Sequence, residues 1–230
     1  MITALILAGG IGSRVGSEIP KQFIPINGKP ILAYTLSSFE SHPLIDKIVV
    51  VCIQGYEKVV ENYRERYSIT KLDKVVTGGR SALESTRIGV NSINASKDDI
   101  IVIHDGVRPL VDERSISNVI NDCKEYGGAI SSIPLVEHVF FVGSTRTDLH
   151  YIPRENAYRT VTPQAYKYSK LLSAFERADA LGISSKSPFI GTMMMDVGEP
   201  VCLSEGSDQN IKITGPADVS YFQSFFDENS

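Results

Sequence analysis

The sequence predicts an α/β fold with a mainly parallel sheet, and three observations carry that prediction. Short apolar runs alternate with amphipathic helical stretches, the signature of βαβ units whose sheet is covered on both faces. The first run empties directly into a glycine-rich loop, as strands do at the ligand edge of an open α/β sheet. With 230 residues, 42% of them hydrophobic and 22% charged, the chain can bury its own core.

Thr3 to Leu7 is the first buried strand; its apolar run is short and lacks a basic leader, so neither a signal peptide nor a membrane span is expected. Gly28-Lys29-Pro30 leads into a helix from Ile31 to Leu36, with Pro30 suited to the first turn. Lys47 to Ile53 is the second strand, Tyr56 to Tyr67 a charged surface helix and Lys74 to Val76 a short third strand. After the break at Gly78-Gly79, Ser81 to Ile93 reads as a helix, Asp99 to His104 as the fourth strand, Glu113 to Tyr126 as a helix and Gly128 to Leu135 as a strand. From Glu137 to Arg159 the rhythm changes. His138 to Val142 and Leu149 to Ile152 flank a polar Gly143 to Asp148 stretch, as the strands of a hairpin do. These strands are apolar enough to need cover from elsewhere, which favours an arm over residues 137–159 packed on a partner subunit; an internal edge hairpin is the other reading. Leu171 to Leu181 is helical, Val201 to Ser204 and Asn210 to Ile213 are late strands, and Pro216 to Phe226 is the closing helix. Met193 to Met195 read as core filler. No repeat, low-complexity tract or linker divides the chain, so residues 1–230 are expected to form a single domain.

Composition excludes several functions. A formal net charge of -4 and a pI near 5.6 leave no broad cationic surface, so no nucleic-acid partner and no membrane partner are expected, and phosphate chemistry must be local. Cys52, Cys123 and Cys202 are odd in number, far apart and without a CxxC pair, which argues against a disulfide framework or a zinc site and fits the reducing cytoplasm. The four histidines show no ligand spacing.

Ala8-Gly9-Gly10-Ile11-Gly12-Ser13-Arg14-Val15-Gly16 is the most informative stretch. Its glycines leave backbone N–H groups bare and able to wrap an anion, for which a nucleoside triphosphate is the natural guest. A Walker loop would need GxxxxGK[ST], and a dinucleotide loop a third glycine where Val15 stands and an acidic end to the second strand; neither is present. Two cations accompany the loop instead, Arg14 within it and Lys21 shortly after it. A guanidinium grips phosphate oxygens as a fork and a lysine follows developing charge, which together suit phosphoryl or nucleotidyl transfer. Either alone would read as a solvated surface cation; the neighbouring glycine loop favours the phosphate role. Asp105 ends a buried strand, where a hard carboxylate can hold magnesium, although Arg108 three residues on offers a plain ion pair instead. His104 reads as a hydrogen-bonded core residue, and Lys212 by itself as an ordinary strand-end lysine.

The motifs Leu7 to Arg14 (LAGGIGSR), Pro20-Lys21-Gln22, His104 to Pro109 (HDGVRP), Thr162-Pro163-Gln164 and Asn210 to Thr214 (NIKIT) occur in order along the whole chain. In them the chain resembles the CTP-dependent cytidylyltransferases that include methylerythritol-phosphate and ribitol-5-phosphate cytidylyltransferases. The resemblance implies a Rossmann-like nucleotidyltransferase with a protruding β-hairpin dimerisation arm, working as a homodimer. It implies CTP along Ala8, Gly9, Gly10 and Gly12, its base near Gly79, Ser85 and Gly106, and Mg2+ on Asp105. Arg14, Lys21 and Lys212 become the catalytic cations, and Arg154, Thr162 and Thr192 the residues that bind the acceptor, a phosphorylated polyol. No covalent enzyme intermediate is implied.

Three positions depart from the methylerythritol pattern. The arm carries His138-Val139 where that pattern has Asp-Thr, and valine has no hydrogen bond to offer. An acidic segment is replaced by the nearly uncharged Ser187 to Met195, whose Gly191-Thr192 resembles the alditol-phosphate members. Ala82 stands where many members carry an arginine, with Arg80 nearby as a substitute or as an exposed residue. The expected acceptor is therefore a sugar-alcohol phosphate such as ribitol 5-phosphate, and wall or capsule polymer synthesis is the expected use of the product. Methylerythritol phosphate and a catalytically silent nucleotide-binding module are the alternatives.

Overall fold

A computed structural model describes residues 1–10, 19–184 and 187–227. The strands are β1 (Ile2–Ala8), β2 (Pro25–Ile26), β3 (Lys29–Pro30), β4 (Lys47–Cys52), β5 (Leu72–Thr77), β6 (Ile100–Asp105), β7 (Gly128–Pro134), β8 (Val139–Val142), β9 (Leu149–Ile152), β10 (Tyr158–Lys167) and β11 (Cys202–Glu205). The helices are α1 (Ile31–Ser41), α2 (Glu57–Glu61), α3 (Tyr63–Arg66), α4 (Ala82–Ser92), α5 (Glu113–Tyr126), α6 (Tyr168–Ala180), α7 (Ile190–Asp196) and α8 (Pro216–Asp227), with short 3-10 turns at Lys21–Phe23 and Arg154–Asn156. Seven strands form one sheet in the order β11-β7-β10-β6-β1-β4-β5. It is parallel except at β10, which runs antiparallel to both β6 and β7.

Side chains that alternate along β1 divide between two layers, as the two-residue period of a strand requires. Ala4, Ile6 and Ala8 pack with α1 and α5, whereas Leu5 packs with α4, α6 and α7. Helix α5 shows how local sequence serves this arrangement. Asp112 caps its start by accepting the Ser115 N–H (2.6 Å), and Ile116, Val119, Ile120 and Cys123 bury one face. Gly127, at φ 88°, then turns the chain into β7, a conformation in which a side chain would be strained.

Two elements depart from expectation and two more were not foreseen. The Tyr56 to Tyr67 helix is interrupted at Asn62, although the ladder resumes through the Arg66 N–H bond to its carbonyl (3.0 Å). Asn210 to Ile213 forms no strand. Its backbone bonds go to Ser207 and Gln209 locally and, from the Ile213 N–H, to the Val107 carbonyl (2.9 Å), so it is strapped to the loop after β6. Strand β10 was not expected, because its first half is polar and Pro163 argues against a central strand; a register shift between Thr160 and Gln164 accommodates that proline. Helix α7 was also unexpected: Met193 and Met194 do fill the core, as read, but from a helix, and Met195 is exposed.

The hairpin is present as β8 and β9, paired Val139↔Ile152 through Val142↔Leu149. Phe140, Phe141, Val142, Leu149 and Tyr151 each keep half or more of their surface exposed. Among the described residues no helix is long and apolar enough to cross a membrane.

Candidate active site

Parallel pairing aligns Leu7 with Asp105 and Ala8 with Cys52, so the chain leaves β1, β4 and β6 at one edge. A cleft of about 540 Å³ opens there. Of the residues expected to bind the nucleotide, Ala8, Gly9, Gly10, Gly79 and Ser85 line it. Lys21, Asp105 and Lys212 line it too. Gly12 and Arg14 lie outside the described residues.

The start of the glycine loop is held by Gln22, whose buried amide donates to the Ala8 carbonyl (2.7 Å) and the Gly10 carbonyl (2.9 Å). Sequence reasoning gave Gln22 no role, and only its place beside Lys21 signalled one. Gly79 and Ser85 hold each other, the Gly79 N–H donating to Ser85 Oγ (3.0 Å), at the capped start of α4 where Ser81 accepts the Glu84 N–H (3.1 Å). Arg80 and Ala82 both face the cleft, so an exposed Arg80 sits where it can meet a bound anion. Gly106 is placed differently. Its N–H bonds to the Leu7 carbonyl (2.8 Å), and a Cβ there would meet Leu32, Ala8 and that carbonyl, so it serves the close packing beneath the cleft.

The charges of the cleft are organised around Asp105. Its Oδ2 receives Arg108 Nε at 2.9 Å and Lys212 Nζ at 3.1 Å, so the ion pair with Arg108 is formed and Lys212 joins it. Burial pushes the Asp105 carboxyl up, but Lys212 and then Arg108 outweigh burial and hold it below the usual carboxylate range. Lys21 donates to the Ile213 carbonyl (2.9 Å). Among the described residues Lys21, Arg80 and Lys212 line the cleft against the one carboxylate of Asp105, which Arg108 also contacts, an excess of positive charge in a protein of net negative charge. His104 is fully buried, donates from Nε2–H to the Arg108 carbonyl (3.1 Å), and is pushed by burial down to about 4. It is a neutral core histidine, as expected.

Arg108 and Lys212 contact the same oxygen, Oδ2, of Asp105, and among the described residues no group of three His, Cys, Asp or Glu side chains is gathered there, so Asp105 is the single carboxylate donor this cleft offers a cation. Mg2+ is commonly held by one or two carboxylates, with substrate phosphates and water completing its shell.

The expected acceptor residues are dispersed. Thr162 stands beside the cleft, its Oγ1 accepting the Asp105 N–H (3.1 Å). Arg154 is exposed in the turn that follows the hairpin, and the Thr192 hydroxyl bonds to the Phe189 carbonyl (2.8 Å) on α7; neither lines the cleft of its own chain.

Comparison with known proteins gives this geometry a setting. A ribitol-5-phosphate cytidylyltransferase of Lacticaseibacillus paracasei is 44% identical over 231 residues, 99% of each chain. A protein of the same name from Streptococcus agalactiae serotype III is 34% identical over 230 residues, 99% of this chain and 96% of the other. A 2-C-methyl-D-erythritol 4-phosphate cytidylyltransferase of Clostridium acetobutylicum is also 34% identical, over 232 residues. Among solved structures, the Francisella tularensis 2-C-methyl-D-erythritol 4-phosphate cytidylyltransferase superposes with a TM-score of 0.80 at 28% identity, covering 96% of this chain and 99% of that one. The Anaerococcus prevotii 4-diphosphocytidyl-2C-methyl-D-erythritol synthase shares the fold with a TM-score of 0.84 at 23% identity. The family described as IspD, 2-C-methyl-D-erythritol 4-phosphate cytidylyltransferase, matches residues 2–228, and the chain belongs to that family.

Proposed function

We propose that this cytidylyltransferase moves CMP from CTP to ribitol 5-phosphate or a related alditol phosphate, releasing pyrophosphate and a CDP-alditol. The observation that carries the chemistry is the meeting of Lys21, Lys212 and the Asp105 carboxylate with the glycine ends of β1 in one cleft. The acceptor class is supported by the 44% identity, end to end, with a protein named for ribitol 5-phosphate.

In this mechanism CTP lies along Ala8, Gly9, Gly10 and Gly12, with its base near Gly79, Ser85 and Gly106. An oxygen of the acceptor phosphate attacks the α-phosphorus of CTP, the bond to the bridging β-phosphate oxygen breaks, and the electron pair leaves with pyrophosphate. Two anions must approach, so their repulsion has to be offset before bonds change. Arg14, Lys21 and Lys212 supply that positive charge, and Asp105 keeps the Lys212 ammonium directed into the cleft. Mg2+ held by Asp105 would neutralise phosphate oxygens when bound.

The arm completes the acceptor side in this reading. Its exposed apolar strands pack against a second copy, making a homodimer in which Arg154 reaches the partner's cleft, and Thr162 and Thr192 bound the acceptor. The enzyme acts in the cytoplasm, its product feeding wall or capsule polymer synthesis.

Pyrophosphate release with CTP, Mg2+ and a panel of acceptors tests this reading. Release with ribitol 5-phosphate or another alditol phosphate is expected. Release only with methylerythritol phosphate, which the family description and the Clostridium relative favour, would replace the acceptor, and silence with every acceptor would leave a nucleotide-binding module.

A further inference from the structure

Lys212 lies in a stretch without helix or strand, so no ladder of backbone bonds fixes it, yet its ammonium sits 3.1 Å from Asp105 Oδ2. A closed ring of hydrogen bonds lies beneath it. The Asp105 N–H donates to Thr162 Oγ1 (3.1 Å), and the Thr162 carbonyl accepts from Asn210 Nδ2 (2.6 Å). The Asn210 carbonyl accepts from Arg108 Nη1 (2.8 Å), and Arg108 Nε returns to Asp105 Oδ2 (2.9 Å). Asn210 is the member that joins three separate segments, because its side chain reaches β10 and its backbone meets the loop after β6, while Lys212 follows two residues later.

We propose that Asn210 is a positioning residue for the transfer, setting Lys212 against Asp105 without touching substrate. Three features of the residue support the role. Its side chain is 2% exposed and does not line the cleft. Only its amide NH2 can donate to a carbonyl, which fixes the orientation of the group. Its Oδ1 is buried with no partner among the described residues, a cost that a merely space-filling residue would avoid and that persists here beside the reacting charges. The Ile213 carbonyl of the same stretch accepts from Lys21 (2.9 Å), a contact that Asn210 does not make itself. Small misplacements of such groups are expensive in rate, since the charges must already be in place when the transition state forms.

The proposal rests on the cytidylyl-transfer reading, and its test has one arm that does not. Asn210→Asp keeps the shape and replaces the donor with an acceptor; Asn210→Ser is the second variant. Each is expected to lower kcat about 10- to 100-fold while KM for CTP changes less than about 3-fold, with the thermal transition still well above assay temperature. Combined with Lys212→Ala, either is expected to add little further loss, because the two act through one group. Crystals of Asn210→Asp should show Lys212 Nζ more than 4 Å from Asp105 Oδ2, the ion pair broken. An unchanged kcat, losses that multiply in the double variants, or Lys212 still paired in the crystal would overturn the proposal. So would a failure of both variants to fold, which would make Asn210 scaffold alone. A wild-type enzyme silent with every acceptor sinks the functional reading instead, and the crystals then decide the positioning claim by themselves.

Discussion

At the cleft, Asp105 answers to Arg108 and Lys212, Lys21 to a carbonyl, and Gln22 to two more; along the hairpin, Tyr151 meets His138 and Phe140, Phe141 meets His150, and Leu149 pairs with Val142. The first region is satisfied within one chain, which holds its charges in place before a ligand arrives. The second spends more than half of each of those side chains on solvent, which a chain by itself gains nothing from. On the proposed function, the difference marks where the site ends: the chemistry is built into the body, and acceptor binding by Arg154, beside the hairpin, needs a second copy.

Breaking the body side should cost the most. Lys21→Ala and Lys212→Ala are each expected to lower kcat about 10²- to 10³-fold in pyrophosphate release, with oligomeric state unchanged. Turnover at the wild-type level in either would remove that residue from the mechanism. On the arm side, Phe140→Asp with Phe141→Asp should weaken self-association about 10²-fold or more, seen by sedimentation, while the melting profile of the body persists. A wild-type chain that already sediments as a monomer would end the comparison. Arg154→Ala should sharpen it: KM for the acceptor is expected to rise about 10-fold and KM for CTP to stay put. Equal losses for both substrates would place Arg154 elsewhere.

The smallest effect separates the regions by pH. His42, buried at the end of α1, accepts the Leu44 N–H on Nδ1 (3.3 Å) and so presents Nε2–H to the Glu113 carbonyl and Ser117 Oγ. Burial lowers its pKa despite the raising effect of the Glu113 carbonyl, so the unfolded chain takes the proton more readily. Its contribution to stability is full above the unfolded value of about 6.5 and declines as pH falls below it. Urea midpoints should therefore drop from pH 7 to pH 5, less so in His42→Gln, and the arm variants should keep the wild-type slope. An unaltered slope in His42→Gln would discard this assignment.

Much of this was legible in the sequence, for identifiable reasons. Strands β1, β4 and β6 are buried on both faces and read as unbroken apolar runs, and α5 carries its cap, its stripe and its terminal glycine in order. Asp105 and Lys21 could be found because each adjoins a strand end or the glycine loop. Strand β10 could not, since Pro163 breaks the pattern and the bonds that place it come from distant partners. Lys212 and Thr162 were recognisable through motif resemblance alone, because the strap that brings Lys212 to Asp105 follows no periodicity and Thr162 lies at the irregular part of β10.

The irregularity in β10 has a consequence for how relatives of this chain can vary. Between the hairpin and Thr162 the strand is measured off by its pairing with β7, and the slip at Thr160 to Gln164 turns the threonine hydroxyl towards Asp105. Deleting or inserting one residue there would rotate that hydroxyl away or shift the whole projection along the sheet. The Gly143 to Asp148 tip is under no such ruler. Length changes that preserve turnover should thus accumulate at the tip and be missing from the stem.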